Sequence, residues 1–268
     1  MIELKFLIDP FTIAQQALGK PLSSPDDSSI YHDDEERHSL STFLEKAKDL
    51  DFASYMFFAG SSDETLLACA YENIDLNQLS QRVGKYIGDL VDDACFKPVL
   101  EASQRAQEKV ESEWLSNYDK TSKVMESLTG LNLSKKIDVL ITHPQQRQGK
   151  NCDGTILWTA RSSFPNYSTI YLWHEIMHSF VKPLDESALS ERVTHSVIQL
   201  CTDNELRVRL NGGTYPPFEG HAYCEATESA LLKEWHLYLD SNNRNIIKFQ
   251  KNAEKIELRR EESEQKKK

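Results

Sequence analysis

The stretch Ile170-Tyr171-Leu172-Trp173-His174-Glu175-Ile176-Met177-His178-Ser179-Phe180 sets two imidazoles four residues apart, with a carboxylate directly after the first. On a helix that spacing puts both rings on one face, one turn apart, where they can share a metal ion while Glu175 reaches a water on it. The flanking residues Ile170, Tyr171, Leu172, Trp173, Ile176, Met177, Phe180 and Val181 are apolar nearly all round, so the helix is expected to be buried. Two histidines and a glutamate in such a helix are costly unless something satisfies them, and a metal ion does so directly. The competing reading, two core histidines bonded to backbone, leaves Glu175 without a partner.

Working outward, the chain alternates at Ile2, Leu4, Phe6 and Ile8, a strand ended by Pro10. Residues 23–37 are rich in Ser, Asp and Glu and read as an exposed loop. Residues 40–50 read as helical, and 52–59 form a compact apolar run. From 78 to 130 the pattern is helical, with Leu79, Val83, Tyr86, Ile87, Leu90 and Val91 at helix spacing and a charged second helix from about Val99 to Tyr118. Near Lys136 the period changes to two. Residues 137–142 and 154–160 read as strands separated by a polar loop, the second strand lying next before the motif helix. Placed as an edge beside the motif helix, that strand could pair with an extended peptide. The expected fold class is α+β: a mostly helical region 1–135 with a first strand, a zincin-like catalytic region 136–247 with a small mixed sheet, and a charged tail 248–268 expected to fray.

A zinc centre needs a third protein ligand. The positions where a metzincin places its Gly and third His are Val181 and Leu184, which excludes that class. A glutamate from a later helix is the remaining common solution. Glu186 and Glu191 follow so soon after Pro183 that the chain has little length to bring a second helix back. Glu205 sits among charges of both signs, as on a solvated face. Glu225 lies in Ala222-Tyr223-Cys224-Glu225-Ala226-Thr227-Glu228-Ser229-Ala230, a small-residue stretch able to pack closely on the motif helix. Glu225 is therefore the preferred third ligand, with Glu205 and Glu228 as alternatives.

The 268-residue chain is 39% hydrophobic, enough for a proper core, and its net charge of −11 argues against a nucleic-acid partner. The start of the chain carries acids inside its apolar run, unlike a secretory signal, and nothing approaches a membrane span. Cys69, Cys95, Cys152, Cys201 and Cys224 are scattered and odd in number, so they read as reduced thiols in a cytoplasmic protein.

The block His174-Glu175-Ile176-Met177-His178-Ser179-Phe180-Val181-Lys182-Pro183 resembles the HExxHSFxxP block of an uncharacterised family of bacterial metallopeptidases of the glutamate-zincin (gluzincin) kind. The resemblance covers roughly residues 169–183. It implies zinc as cofactor, a peptide or protein substrate, and a third-ligand glutamate at about the distance of Glu225. Family members follow that glutamate with an apolar pair and an arginine, whereas this chain has Ala226-Thr227-Glu228-Ser229.

Two imidazoles and a carboxylate would bring a zinc-bound water toward pKa about 7, and Glu175 would take its proton as general base. Tyr215, His221 and Tyr223 are candidate donors to the developing oxyanion, while His195 and Trp173 read as packing or supporting residues. A zinc hydrolase of a small amide or ester shares these groups. A silent zincin-fold interaction protein would have little reason to keep Glu175.

Overall fold

The computed structural model describes residues 1–19, 34–46, 54, 57, 62–146, 149–152, 154–159 and 164–265. The fold is mixed α+β: many helices around one four-stranded sheet of order β1-β2-β4-β3. Strand β1 (Ile2–Leu7) pairs in parallel with β2 (Lys135–Ile141), β2 in parallel with β4 (Thr155–Trp158), and β4 antiparallel with β3 (Gly149–Cys152). The period-two reading thus holds for β1, β2 and β4. The strand read as the edge, β4, is interior. The edge on that side is β3, Gly-Lys-Asn-Cys, which lies in the stretch read as a polar loop. Its sequence carries no apolar alternation because it faces a cleft, and its place is fixed by the β4 ladder.

Helices α1 (Pro10–Gly19), α2 (Asp34–Lys46), α3 (Ser62–Glu72) and α4 (Leu76–Val91) precede the long helix α5 (Lys97–Thr129). The expected loop at 23–37 lies mostly outside the described residues, as does most of the apolar run 52–59. Helix α4 carries the predicted stripe: Leu79, Val83, Ile87 and Leu90 are buried, and Asp75 with Gln78 forms its capping box. These helices share one core with Ile13, Phe43, Phe96 and Val99. A second core surrounds the sheet and the motif helix α6 (Tyr167–Met177), gathering Trp114, Met125, Ile137, Val139, Ile156, Trp173, Val197 and Trp235. Because β1 belongs to this second core, the division at 135/136 does not separate two structural units: the first strand is hydrogen-bonded along the second.

Helix α7 (Ala188–Gln199) continues into a π-helical turn (Leu200–Leu206) and α8 (Arg207–Asn211). A 3-10 turn (Ala222–Cys224) opens α9 (Glu225–Asp240), and α10 (Ile246–Gln265) follows. The tail expected to fray is thus a docked helix as far as Gln265. Ile246, Phe249, Gln250, Ala253 and Glu257 are buried at helical spacing. The polar members of that stripe are tied down: Gln250 donates through Nε2 to Lys182 O at 2.7 Å, and Glu257 accepts from Thr227 at 2.8 Å. Among the described residues no helix is long and apolar enough to cross a membrane.

Candidate metal centre

Helix α6 is held from behind by α5. Asn166 begins it in a left-handed conformation without a side-chain cap, and Glu113 of α5 supplies the missing acceptor, taking the Thr169 amide at 2.6 Å. Trp173, fully buried, donates its indole proton to Thr121 at 2.9 Å. This is the packing role expected of it. The opposite face turns His174 and Glu175 into a cleft of about 330 Å³ that His178, His195, His221 and Glu191 also line, with Gly149, Lys150 and Asn151 of β3 along one side.

The two motif imidazoles meet as the spacing requires, their Nε2 atoms 3.2 Å apart. Nitrogens each about 2.0–2.1 Å from one tetrahedral zinc would stand roughly 3.3 Å apart, so this is the separation of two ligands of one ion. His174 Nδ1 lies 3.0 Å from both oxygens of Asp203, a fully buried residue in the π-helical turn. A carboxylate only accepts, so Nδ1 carries the proton and Nε2 offers its lone pair to the cleft. Burial works to lower the His174 pKa, but the Asp203 charge and hydrogen bond, with Glu175 and Glu228 nearby, raise it above the usual value. Burial and the surrounding cationic groups push His178 down to about 2, so that ring is neutral and can ligate.

Glu175 is buried beside these rings. Burial raises its pKa, against the opposing pull of His174 and a backbone bond from Asn151. Asn151 also ties β3 to the helix, donating through Nδ2 to Glu175 O at 2.8 Å and to Ser179 Oγ at 3.1 Å. At Gly149 a Cβ would fall 3.0 Å from Glu175 Oε1 and 2.8 Å from the Trp158 ring, so glycine is what allows the edge strand to lie this close to the carboxylate.

Glu225, expected in the metal shell, stands exposed at the first position of α9, outside the residues that line the cleft. Glu205, read as a member of a solvated face, is buried in the π-helical turn and held by Arg209 at 2.7 Å and the Tyr215 hydroxyl at 2.5 Å. Tyr215 also accepts from Trp235 at 2.9 Å, so it is a structural link away from the cleft. Glu228 is 1% exposed, and burial with the charges of Asp203 and Glu225 pushes it up to about 8. The Gln199 amide, with its nitrogen toward Glu228, donates to Oε1 at 2.9 Å and accepts from the His221 backbone at 2.8 Å. His221 lines the cleft, and Tyr223 stacks on it with ring centres 5.3 Å apart.

Two further cleft residues come from α7. The link 179–187, read from the sequence as too short to return a helix, does so: it turns sharply through backbone bonds from Ser179, Phe180 and Val181, and Ser187 caps α7 through the Ser190 amide at 3.1 Å. Glu191 and His195, one turn apart, therefore face the motif histidines. His195, read as a packing or supporting residue, has its ring centre 4.6 Å from that of His178. Among the described residues no three His, Cys, Asp or Glu side chains are grouped closely enough to hold a metal ion as they stand; His174 and His178 bring two ring nitrogens together.

The chain matches no family model, no curated protein and no solved structure.

Proposed function

We propose that this protein is a zinc-dependent hydrolase that cleaves peptide bonds, with a zincin-like core, His174 and His178 holding the metal and Glu175 acting as general base. The observation that carries the reading is the pair of Nε2 atoms 3.2 Å apart, one fixed as a lone-pair donor by Asp203, with a buried carboxylate beside them. Two lone pairs aimed at each other repel unless a proton or a metal ion sits between them, and a zinc ion suits two neutral imidazoles. When bound, zinc would supply Lewis acidity toward a substrate carbonyl and acidify a water.

Glu175 supplies the proton acceptor. Its raised pKa strengthens it as a base, and after taking a proton it can pass it to the leaving amine. Of the candidate donors Tyr215, His221 and Tyr223, His221 borders the same cleft and could meet a carbonyl oxygen there. A peptide is favoured over a small amide or ester by β3: it is a terminal strand of the sheet, and its residues 149–151 line the cleft, so an extended chain can add to the sheet beside Glu175.

The test is Glu175→Gln, which keeps size and hydrogen bonding but removes the base. Zinc should remain at one per chain while casein hydrolysis falls by roughly two to four orders of magnitude. Equal hydrolysis by the wild type and the variant would refute the mechanism.

A further inference from the structure

Resting on that reading, we infer that the third metal ligand is His195 of α7 and not a glutamate of α9, so that the centre is a three-histidine site. Two imidazoles that share a tetrahedral ion through Nε2 put their ring centres roughly 5 Å apart. His174 and His178 are 5.0 Å apart, and His178 and His195 are 4.6 Å apart. The third side, His174 to His195, is longer at 6.4 Å, and the half-buried His195 ring borders the open cleft on that side.

The hydrogen bond behind His195 agrees. Its Nδ1 lies 3.1 Å from the backbone oxygen of Glu191, one turn earlier. A carbonyl can only accept, so Nδ1 bears the proton and Nε2 is left with its lone pair. Metal-bound histidines characteristically have the second ring nitrogen tied to a carboxylate or a backbone carbonyl. His174 has the first kind of partner and His195 the second.

The competing ligands are placed less well. Glu225 is exposed outside the cleft lining, Glu205 is held by Arg209 and Tyr215, and Glu228 is buried against Gln199. His221 borders the cleft with its centre 6.1 Å from that of His174, but its ring is stacked on Tyr223, and it is the His195 ring that stands 4.6 Å from His178. Glu191 spends its backbone carbonyl on orienting His195, and its own side chain is exposed.

The experiment is zinc affinity by competition with a chromophoric chelator, on the full-length wild type and on His195→Ala, His195→Gln, Glu225→Gln, Glu191→Gln and His221→Ala. Thermal unfolding of each metal-free variant checks the fold. Loss of His195 should weaken zinc at least 100-fold, more than the 10–100-fold typical of an outer-shell partner. The Glu225, Glu191 and His221 variants should stay within about tenfold of the wild type. In the cobalt-loaded protein, the visible bands of a four-coordinate ion should change in His195→Gln and persist in Glu225→Gln. Wild-type zinc affinity in both His195 variants, or a 100-fold loss in Glu225→Gln, Glu191→Gln or His221→Ala, overturns the assignment while leaving the hydrolase reading intact. A wild-type protein that takes up no zinc overturns both.

Discussion

Three acidic residues around the cleft are used differently because their surroundings differ. Asp203 is fully buried, and a hydrogen bond from Thr202 at 2.9 Å joins the His174 ring in satisfying it, so it fixes the tautomer. Asp203→Asn can still meet the ring but can present a donor to it, which favours the wrong tautomer; zinc affinity should fall about 10- to 100-fold in the chelator assay. Glu175, buried in the cleft, is the proton acceptor of the proposed reaction. Glu228 is the third, and its pKa of about 8 makes it a pH-dependent element. A carboxyl raised above its unfolded value of about 4.3 is held protonated by the fold, so that contribution is complete below pH 4 and is lost as pH rises through 8. Glu228→Gln keeps an acceptor for Gln199 and cannot ionise. In chelator-treated protein it should be more stable than the wild type at pH 9 by on the order of 2–4 kcal/mol and equal to it at pH 4, by denaturant unfolding. Equal stability at both pH values would remove the argument. At this scale the sequence displayed His174, Glu175 and His178, because they lie within one helical turn and their spacing is their geometry. It did not display His195, since its place depends on how sharply residues 179–187 turn, and the short linker argued the other way.

At the scale of elements, the motif helix depends on a neighbour far off in sequence. Helix α6 starts without its own cap, and Glu113 of α5 accepts the Thr169 amide while Asn117 of the same helix bonds Asn166 at 2.9 Å. A negative group there also complements the helix dipole. Glu113→Ala should therefore cost about 1 kcal/mol, the usual loss when a cap is removed, seen as a lower Tm with zinc stoichiometry unchanged. A larger loss with loss of metal would mean that α5 fixes the orientation of the histidines as well as the helix start. The sequence announced α6 and α4 through their apolar stripes, and β1, β2 and β4 through alternation. Strand β3 was silent because four mostly polar residues carry no period and only pairing with β4 makes them a strand. The π-helical turn was equally silent. Its extra residue per turn accompanies buried Asp203, Asn204 and Glu205, bonded respectively to His174, Glu219 and Tyr215, partners whose positions are set by the tertiary fold.

At the scale of the whole molecule, the C-terminal helix closes the structure over α7, the helix that carries His195. The charged composition of residues 248–268 suggested a frayed end, yet Ile246, Phe249 and Ala253 mark a narrow apolar stripe beside buried Gln250 and Glu257, each of which hydrogen-bonds to a neighbouring element. Glu257 is the central case: fully buried, it meets Thr227 of α9, Arg260 of its own helix and Arg192 of α7, at 2.8, 2.5 and 3.5 Å. Burial opposes its charge, but the Arg260 and Thr227 hydrogen bonds with the charges of Arg260 and Arg192 hold its pKa below the usual carboxylate value. A depressed carboxyl contributes stability above its unfolded pKa of about 4.3 and loses it as pH falls through the folded value. Acid should therefore loosen the junction of α7, α9 and α10. Glu257→Gln removes the charged hydrogen bonds while keeping the volume, and should lower stability at pH 7 by about 2 kcal/mol. The same variant should lose less stability than the wild type between pH 5 and pH 3, because the proton that disrupts the wild-type cluster has no site to bind. Parallel acid denaturation curves for the two proteins would show that the junction is held by packing of the apolar stripe alone. A converging pair would place the ionised Glu257 among the contacts that keep α7, and with it His195, at the wall of the cleft.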